Sequence, residues 1–380
     1  MQLQSKLPNV GTTIFTVMSA LAREHSAINL SQGFPDFGCS PKLLELSNKY
    51  MSSGFNQYAP MQGAPALRER ISEILHTCYN ATYNPDTEIT ITAGATQGIY
   101  TSIAALINKG DEVIIFEPAY DCYVPAIEVH GGVAVPVELS YPGFSIDWKL
   151  VQQKVNSKTR MIIINSPHNP SGTTLTSYDL KELEKLVSGK NIVVVSDEVY
   201  EHMAFDGKPH QSVALSKTLS AQSIIVSSFG KTVHTTGWKI GYVAAPAELM
   251  NEFRKVHQFL VFAVNHPFQL ALADYLSEKD SYVELKNFYQ KKRDHFQKLI
   301  SGSRFKIEPC TGTYFQLLSY KAISDEKDTD FAIRLTKENK LASVPLSVFY
   351  NKKSDYKLLR FCFAKKEETL EQAAEIICKI

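Results

Sequence analysis

The chain has 380 residues, with 40 Lys or Arg against 39 Asp or Glu, so its formal net charge is +1. A balanced charge gives no electrostatic reason to expect nucleic acid or an acidic membrane as the main partner. No stretch approaches about 18 uninterrupted apolar residues, the length that would predict a membrane-spanning helix. At roughly 100–200 residues per domain, the length predicts two domains, or one large domain with a smaller companion.

The N-terminal region contains a short apolar run at residues 14–22 that ends in an Ala-x-Ala pattern, as a cleaved signal peptide would. Lys6 is the only basic residue ahead of it, and Thr16 and Ser19 interrupt it, so we prefer an amphipathic helix. The six cysteines form no CxxC pair, which argues against a zinc site or a disulfide framework. We therefore expect reduced thiols, no metal and a cytoplasmic protein.

The middle of the chain repeats a short β-branched run, a polar loop and a helical stretch. Strands are predicted at residues 88–93, 112–116, 160–164, 191–195, 223–227 and 239–244, with a loop at 94–98 and a helix at 99–107 after the first of them. The runs are apolar throughout, as in strands covered on both faces, and their alternation with helices predicts a mostly parallel α/β sheet. In such sheets, ligands bind at the carboxyl ends of the strands.

Beyond about residue 245 the pattern changes to longer helical stretches. It predicts a helix at residues 280–300, strands at 312–318 and 357–363, and a last helix at 367–379. We expect these segments to form a second, smaller α+β domain.

Several familiar motifs are incomplete or missing. Residues 228–232 contain the Gly-Lys-Thr of a P-loop, but the position five residues before Gly230 is Ile225 rather than glycine. The acidic strand also precedes this segment instead of following it. No GxGxxG follows a strand, and neither HExxH nor GxSxG occurs. Nucleotide hydrolases and dinucleotide dehydrogenases are therefore not indicated.

Four polar loops, each just past a predicted strand, carry residues suited to chemistry: Gly94-Ala95-Thr96, Asn169-Pro170-Ser171-Gly172, Asp197-Glu198-Val199-Tyr200 and Ser228-Phe229-Gly230-Lys231. Considered alone, Asp197 could be a helix N-cap or part of a structural ion pair, and Lys231 could be a solvated surface lysine. Asn169 could be an ordinary turn residue. Together they indicate more, because a glycine loop that opens a helix suits a phosphate. An acid, a lysine, an asparagine and a phenol beside that loop suit pyridoxal phosphate.

Nearly the whole chain resembles a class I aminotransferase of fold type I, from Asn29-Leu30-Ser31-Gln32-Gly33-Phe34-Pro35-Asp36 to Arg360-Phe361-Cys362-Phe363. The last three of the loop motifs above, in this order, are highly specific as a set. Within the family, residues 14–16, 32–36, 121–123 and 236–239 are similar to the subgroup of methionine, kynurenine and glutamine-K transaminases. The resemblance implies an α/β fold with a mostly parallel seven-stranded sheet in a large cofactor domain at residues 41–275. It also implies a small domain at residues 276–380, against which an N-terminal arm, residues 1–40, packs.

The resemblance also implies roles for individual residues of the cofactor site. Lys231 would hold pyridoxal phosphate as a Schiff base and later move the substrate's proton, which requires a lowered pKa. Asp197 would pair with the pyridine nitrogen. The remaining cofactor contacts would be Asn169 and Tyr200 at the ring oxygen, Tyr120 stacked on the ring, and Ala95, Thr96, Ser228 and Lys239 at the phosphate.

For the substrate, the resemblance implies that Arg360 grips the α-carboxylate with its planar fork, beside Asn169 and the N–H of Gly33. Tyr58 and Phe262 match positions that the family contributes from the neighbouring subunit, the first to the phosphate and the second to the side-chain pocket. A homodimer with shared sites is thus implied.

Three residues depart from the broad class I pattern. Lys239 stands in place of an arginine, and His234 and Thr235 replace small and aliphatic residues. A lysine is a point charge that cannot bind phosphate bidentately. The Gly-Trp-Lys form is, however, typical of the subgroup.

The predicted function is a ping-pong transfer of the amino group from an apolar, thioether or aromatic L-amino acid (methionine, kynurenine, phenylalanine or glutamine type) to a 2-oxo acid. No motif supplies a second arginine for an acidic side chain. Two alternatives remain. A cysteine-conjugate C–S β-lyase would need the same carbanion and a leaving group on the β carbon. A non-catalytic sensor of the same fold is disfavoured, because no basic helix-turn-helix precedes the fold.

Overall fold

The structure is a computed structural model that describes residues 3–380. Its strands are β1 (Ile28–Asn29), β2 (Ile89–Thr92), β3 (Glu112–Glu117), β4 (Val133–Glu138), β5 (Thr159–Asn165), β6 (Val193–Asp197), β7 (Ser223–Ser228), β8 (Gly241–Ala244), β9 (Lys306–Ile307), β10 (Phe315–Ser319), β11 (Leu341–Ala342), β12 (Val344–Pro345) and β13 (Leu358–Cys362).

The α-helices are α1 (Ile14–Glu24), α2 (Pro41–Ser52), α3 (Pro65–Tyr79), α4 (Ala95–Leu106), α5 (Tyr123–Val129), α6 (Trp148–Lys154), α7 (Ser177–Val187), α8 (Lys217–Ser220), α9 (Phe229–Thr232), α10 (Ala247–Leu260), α11 (His266–Tyr275), α12 (Asp280–Val283), α13 (Leu285–Leu299), α14 (Asp328–Glu338) and α15 (Glu367–Lys379). Between residues 3 and 380, no helix combines the length and apolar character needed to cross a membrane.

The main sheet has seven strands in the order β2-β8-β7-β6-β5-β3-β4. Adjacent strands of this sheet run parallel, except that β8 is antiparallel to both β2 and β7. This arrangement confirms the predicted α/β fold with a mostly parallel seven-stranded sheet.

Both faces of this sheet are covered by helices. Ile162 and Ile164 belong to a hydrophobic cluster with residues of α3, α6, α7 and α11, whereas Met161 and Ile163 belong to a second cluster with residues of α4, α5 and α10. Successive side chains of a strand point to opposite faces, so a strand buried on both sides must be apolar at every position. Burial on both faces therefore explains why the apolar runs of the sequence are continuous.

A smaller antiparallel sheet, in the order β12-β13-β10-β9, lies in the C-terminal part of the chain. Its hydrophobic cluster includes residues of α13, α14 and α15, and also Met18 of α1 and Leu30, which follows β1. The N-terminal strand β1 pairs in parallel with β11. The domain boundaries at residues 40/41 and 275/276 stay a prediction.

Several predicted elements differ from the structure. Strand β4 was not predicted, because it is an edge strand with half-exposed Val133 and a proline at position 136, which weaken the apolar pattern. Helix α4 begins at Ala95, so the loop predicted at residues 94–98 is wrong beyond Gly94. The helix predicted at residues 280–300 is two helices that meet at Glu284. The amphipathic helix predicted at residues 14–22 is confirmed as α1.

Candidate active site

A cavity of about 270 Å³ lies where the loops after β2, β5, β6 and β7 meet Arg360 of β13 and the segment after β1. Its lining includes eleven of the predicted site residues: Gly33, Ala95, Thr96, Tyr120, Asn169, Asp197, Tyr200, Ser228, Lys231, Lys239 and Arg360. In a mostly parallel sheet, loops at the carboxyl ends of strands converge in this way. Residues that lie far apart in sequence therefore share one cavity.

Lys231 lies on α9, which begins directly after β7. Its Nζ donates to the carbonyl oxygen of Gly33 at 3.0 Å and to the hydroxyl of Tyr314 at 2.8 Å. That hydroxyl in turn donates to the same carbonyl at 2.5 Å. Burial, helped by the nearby charges of Arg360 and Lys239, lowers the pKa of Lys231 to about 8. The amine is therefore partly neutral near physiological pH.

Asp197 is the last residue of β6 and is buried. Its Oδ2 accepts a hydrogen bond of 2.5 Å from the hydroxyl of Tyr123, and the N–H of Val199 lies 3.4 Å from its Oδ1. Burial raises the pKa of Asp197 to about 6, although both hydrogen bonds and the charge of Lys231 oppose the rise. A buried carboxylate of this kind needs a cationic or N–H partner.

Arg360 is only 1% exposed. Its Nη1 donates to Oδ1 of Asn169 at 2.7 Å and its Nη2 to the carbonyl oxygen of Ser31 at 3.0 Å, while the guanidinium carbon lies 3.9 Å from the ring centroid of Phe315. Its Nε is buried without a hydrogen-bond partner among residues 3–380. A buried charged group with an unused donor is costly to maintain, which indicates an anionic ligand here.

The N-terminus of α4 also borders the cavity. Gly94 precedes it with a φ of +79°, and the first N–H groups of a helix have no partner within that helix. A Cβ at position 94 would lie 3.1 Å from Nζ of Lys239, so glycine lets this ammonium approach the helix end. Free N–H groups, a helix dipole and a lysine together suit a phosphate.

These groups fit pyridoxal phosphate. Lys231 offers an amine for its aldehyde, Asp197 a buried carboxylate for its ring nitrogen, and the start of α4 with Lys239 a place for its phosphate. The ring of Tyr120 borders the same cavity, and its hydroxyl lies 3.5 Å from Oγ1 of Thr96. Within residues 3–380, no group of three or more His, Cys, Asp or Glu side chains could hold a metal ion.

Tyr58 and Phe262 lie outside this cavity. Tyr58 is 80% exposed, Phe262 is half-exposed, and their rings pack edge to face with centroids 5.3 Å apart. Their contribution to a neighbouring subunit's site stays a prediction.

Sequence reasoning missed some residues at this site. Tyr314 contacts Lys231 across 83 residues of chain. Phe15 and Gln32, which were noted only as parts of the family motifs, also line the cavity, and Nε2 of Gln32 donates to the carbonyl oxygen of Phe15 at 3.1 Å. Tyr123 was noted only as part of the subgroup motif, without a role. Local sequence carries no signal for such contacts, because packing between distant segments creates them.

Comparison with known proteins identifies the family. The family model for aminotransferase class I and II matches residues 25–377. The chain is 49% identical over 373 residues to a methionine aminotransferase of Escherichia coli, with 98% of this chain and 97% of that protein covered. It is 32% identical over 403 residues to kynurenine–oxoglutarate transaminase 3 of Mus musculus, with 98% and 88% covered.

Solved structures agree with this result. The crystal structure of YbdL from Escherichia coli, for which a methionine aminotransferase function was identified, superposes with a TM-score of 0.98 at 48% identity over all of both chains. The predicted resemblance to fold type I aminotransferases, and to the subgroup with methionine and kynurenine transaminases, is confirmed. Enzymes of this family depend on pyridoxal phosphate in general. The chain therefore belongs to the class I and II aminotransferase family.

Proposed function

We propose that this aminotransferase uses pyridoxal phosphate to move the amino group of an amino acid with an apolar, thioether or aromatic side chain to a 2-oxo acid. The observation that carries the substrate class is the cavity wall. Arg360 is the one guanidinium among the cavity-lining residues of the described chain, and Phe15 and Phe315 add apolar rings. One carboxylate of the substrate thus has a forked partner, whereas a second carboxylate finds no second guanidinium among the cavity-lining residues of this chain.

The relatives support this substrate class. A methionine aminotransferase is 49% identical to the chain, and a kynurenine transaminase is 32% identical over nearly the same length. Methionine, phenylalanine, kynurenine and glutamine are therefore the amino acids to test first.

Bound pyridoxal phosphate would supply an electron sink for the bond broken at the substrate's α carbon. The protein's own groups hold the reactants and move the proton. Arg360, braced by Asn169, fixes the α-carboxylate, and Asp197 favours a protonated ring nitrogen. Lys231 takes the proton from one carbon and returns it to another. The amino group stays on the enzyme between the two half-reactions, which gives ping-pong kinetics.

The surroundings of Lys231 suit this proton transfer. A neutral amine has two N–H bonds and one lone pair, and the carbonyl of Gly33 and the hydroxyl of Tyr314 accept both N–H bonds. The lone pair is then left free to accept a proton. The lowered pKa of Lys231, about 8, keeps a useful fraction of the amine neutral.

We further propose a homodimer with shared sites and a cytoplasmic location. The exposed aromatic pair of Tyr58 and Phe262 supports the dimer, since large exposed apolar side chains mark contact surfaces. The six free cysteines support a reducing compartment.

A half-reaction assay tests the function. The purified protein loaded with pyridoxal phosphate should lose the cofactor's visible absorption band when methionine or phenylalanine is added without an acceptor. A 2-oxo acid should restore the band, and the 2-oxo acid made from the first substrate should appear in equal amount. Aspartate should react more slowly. A strong preference for aspartate would contradict the proposed substrate class.

Lys231→Ala provides the matched control. The Lys231→Ala variant should keep the circular dichroism spectrum of the wild type. Its half-reaction rate should fall by ~10²–10⁴-fold or more, since a positioned acid–base group contributes about that much. Near-normal turnover would contradict the role of Lys231. Pyruvate and ammonia released from a cysteine conjugate, with no half-reaction, would instead favour the β-lyase.

A further inference from the structure

We propose that Tyr123 is a positioning residue, which holds Asp197 ionised and correctly oriented for the ring nitrogen of the cofactor. This inference rests on the proposed function, because it assigns a role toward pyridoxal phosphate. Tyr123 does not line the cavity and therefore acts through Asp197.

The geometry places Tyr123 directly behind the carboxylate. It is the first residue of α5, it is 3% exposed, and its hydroxyl donates to Oδ2 of Asp197 at 2.5 Å. Its N–H donates to the carbonyl oxygen of Tyr120 at 3.2 Å, and the two rings pack edge to face with centroids 5.8 Å apart. Within four residues of chain, Tyr120 thus lines the cavity and Tyr123 binds the carboxylate of Asp197.

The hydrogen bond determines which oxygen of Asp197 is free. Oδ2 is engaged by Tyr123, whereas Oδ1 has, among the described residues, only the long contact from the N–H of Val199. A short bond from a rigid, buried phenol also prevents the carboxylate from rotating. Oδ1 is therefore the oxygen that remains for a ring N–H.

The same bond stabilises the negative charge. Burial favours the neutral form of Asp197, and a neutral carboxyl group would not hold a protonated ring nitrogen. Tyr123 remains a donor, because burial and the neighbouring acid raise its own pKa well above the usual value. Phenylalanine at this position would remove the donor while leaving the ring packing unchanged.

Binding of two ligands distinguishes a positioning role of Tyr123 toward Asp197 from a general role in stabilising the fold. The dissociation constants of pyridoxal phosphate and of its carbocyclic analogue, in which a C–H replaces the ring nitrogen, are measured on the cofactor-free full-length chain. Tyr123→Phe should weaken binding of pyridoxal phosphate by about 10- to 100-fold, the value of a hydrogen bond to a charged group. It should change binding of the analogue by less than about 2-fold, because the analogue has no ring nitrogen for Asp197 to hold.

Tyr83→Phe is the matched control, since Tyr83 is a buried tyrosine whose hydroxyl has no partner within residues 3–380. It should leave both dissociation constants unchanged. As a second measurement, Tyr123→Phe added to Asp197→Asn should cost less than about 2-fold, because the two residues act as one unit.

Equal weakening of both ligands by Tyr123→Phe, or additive losses in the double variant, would overturn the inference. So would unchanged binding of pyridoxal phosphate. A wild-type chain that fails to bind pyridoxal phosphate would instead overturn the proposed function, and with it this role of Tyr123.

Discussion

Replacing Arg360 by lysine tests how the site recognises the α-carboxylate. A guanidinium has five N–H donors, of which two bind Asn169 and the carbonyl of Ser31, so three, including the unpaired Nε, remain for a ligand. An ammonium has three donors, so only one would remain if both protein contacts were kept. A carboxylate held by the fork uses two of the three free guanidinium donors. With lysine it keeps one, so the substrate loses about one charge-assisted hydrogen bond, worth ~1.5–3 kcal/mol, or about a 10- to 100-fold fall in kcat/KM.

The assay compares methionine with the matching amine that lacks the carboxylate. Arg360→Lys should lower the half-reaction rate constant for methionine but not for the amine, because the amine makes no contact with the fork. Arg293→Lys is the matched control, a buried arginine that forks onto Asp206 with bonds of 2.6 and 2.8 Å outside the cavity. It should lower the melting temperature and leave methionine kinetics unchanged. An equal loss for methionine and amine would refute this reasoning.

Three further predictions concern the lysine, its neighbour and the subunit contact. Burial lowers the pKa of Lys231 from 10.5 to about 8, so between these pH values the unfolded chain binds more protons than the folded chain. The buried cation therefore destabilises the fold fully below pH 8, and this destabilisation is absent above about pH 10.5. Lys231→Met should thus raise the free energy of unfolding of the cofactor-free chain by about 3 kcal/mol at pH 7, with the gain disappearing by about pH 10.5 in denaturant titrations; a pH-independent change would contradict the pKa. Tyr314→Phe removes one of the two acceptors of the Lys231 amine, so stopped-flow half-reactions should show a limiting rate constant lower by about 2- to 10-fold with the apparent dissociation constant of the substrate little changed, whereas an effect on that dissociation constant alone would argue against this contact. Mixed dimers of Lys231→Ala and Tyr58→Ala chains should be more active than either parent, since one of the two shared sites would be intact; no gain on mixing would contradict shared sites.

The sequence predicted the fold best where one physical cause dominates. The strands from β3 to β7 other than β4 are buried on both faces, so their apolar runs stand out without any knowledge of the fold. The edge strand β4 has no such burial and was missed. The start of α4 was placed too late, because Ala95, Thr96 and Gln97 follow a glycine and read as a loop.

For the site, the sequence indicated residues but not their environments. Lys231, Asp197, Asn169 and Arg360 could be named because each lies in a motif that the family shares. Tyr314 and Tyr123 could not be assigned as partners of Lys231 and Asp197, because 83 residues separate the first pair and 74 the second.

The buried strands and the polar loops that follow them, which carry Asn169, Asp197 and Lys231, could be recognised from the sequence by itself, because side-chain periodicity and loop composition are local properties. Only the tertiary structure decided the protonation and orientation of those groups. The pKa values of Lys231 and Asp197 depend on burial and on partners that packing brings from distant segments. No stretch of sequence around either residue contains that information.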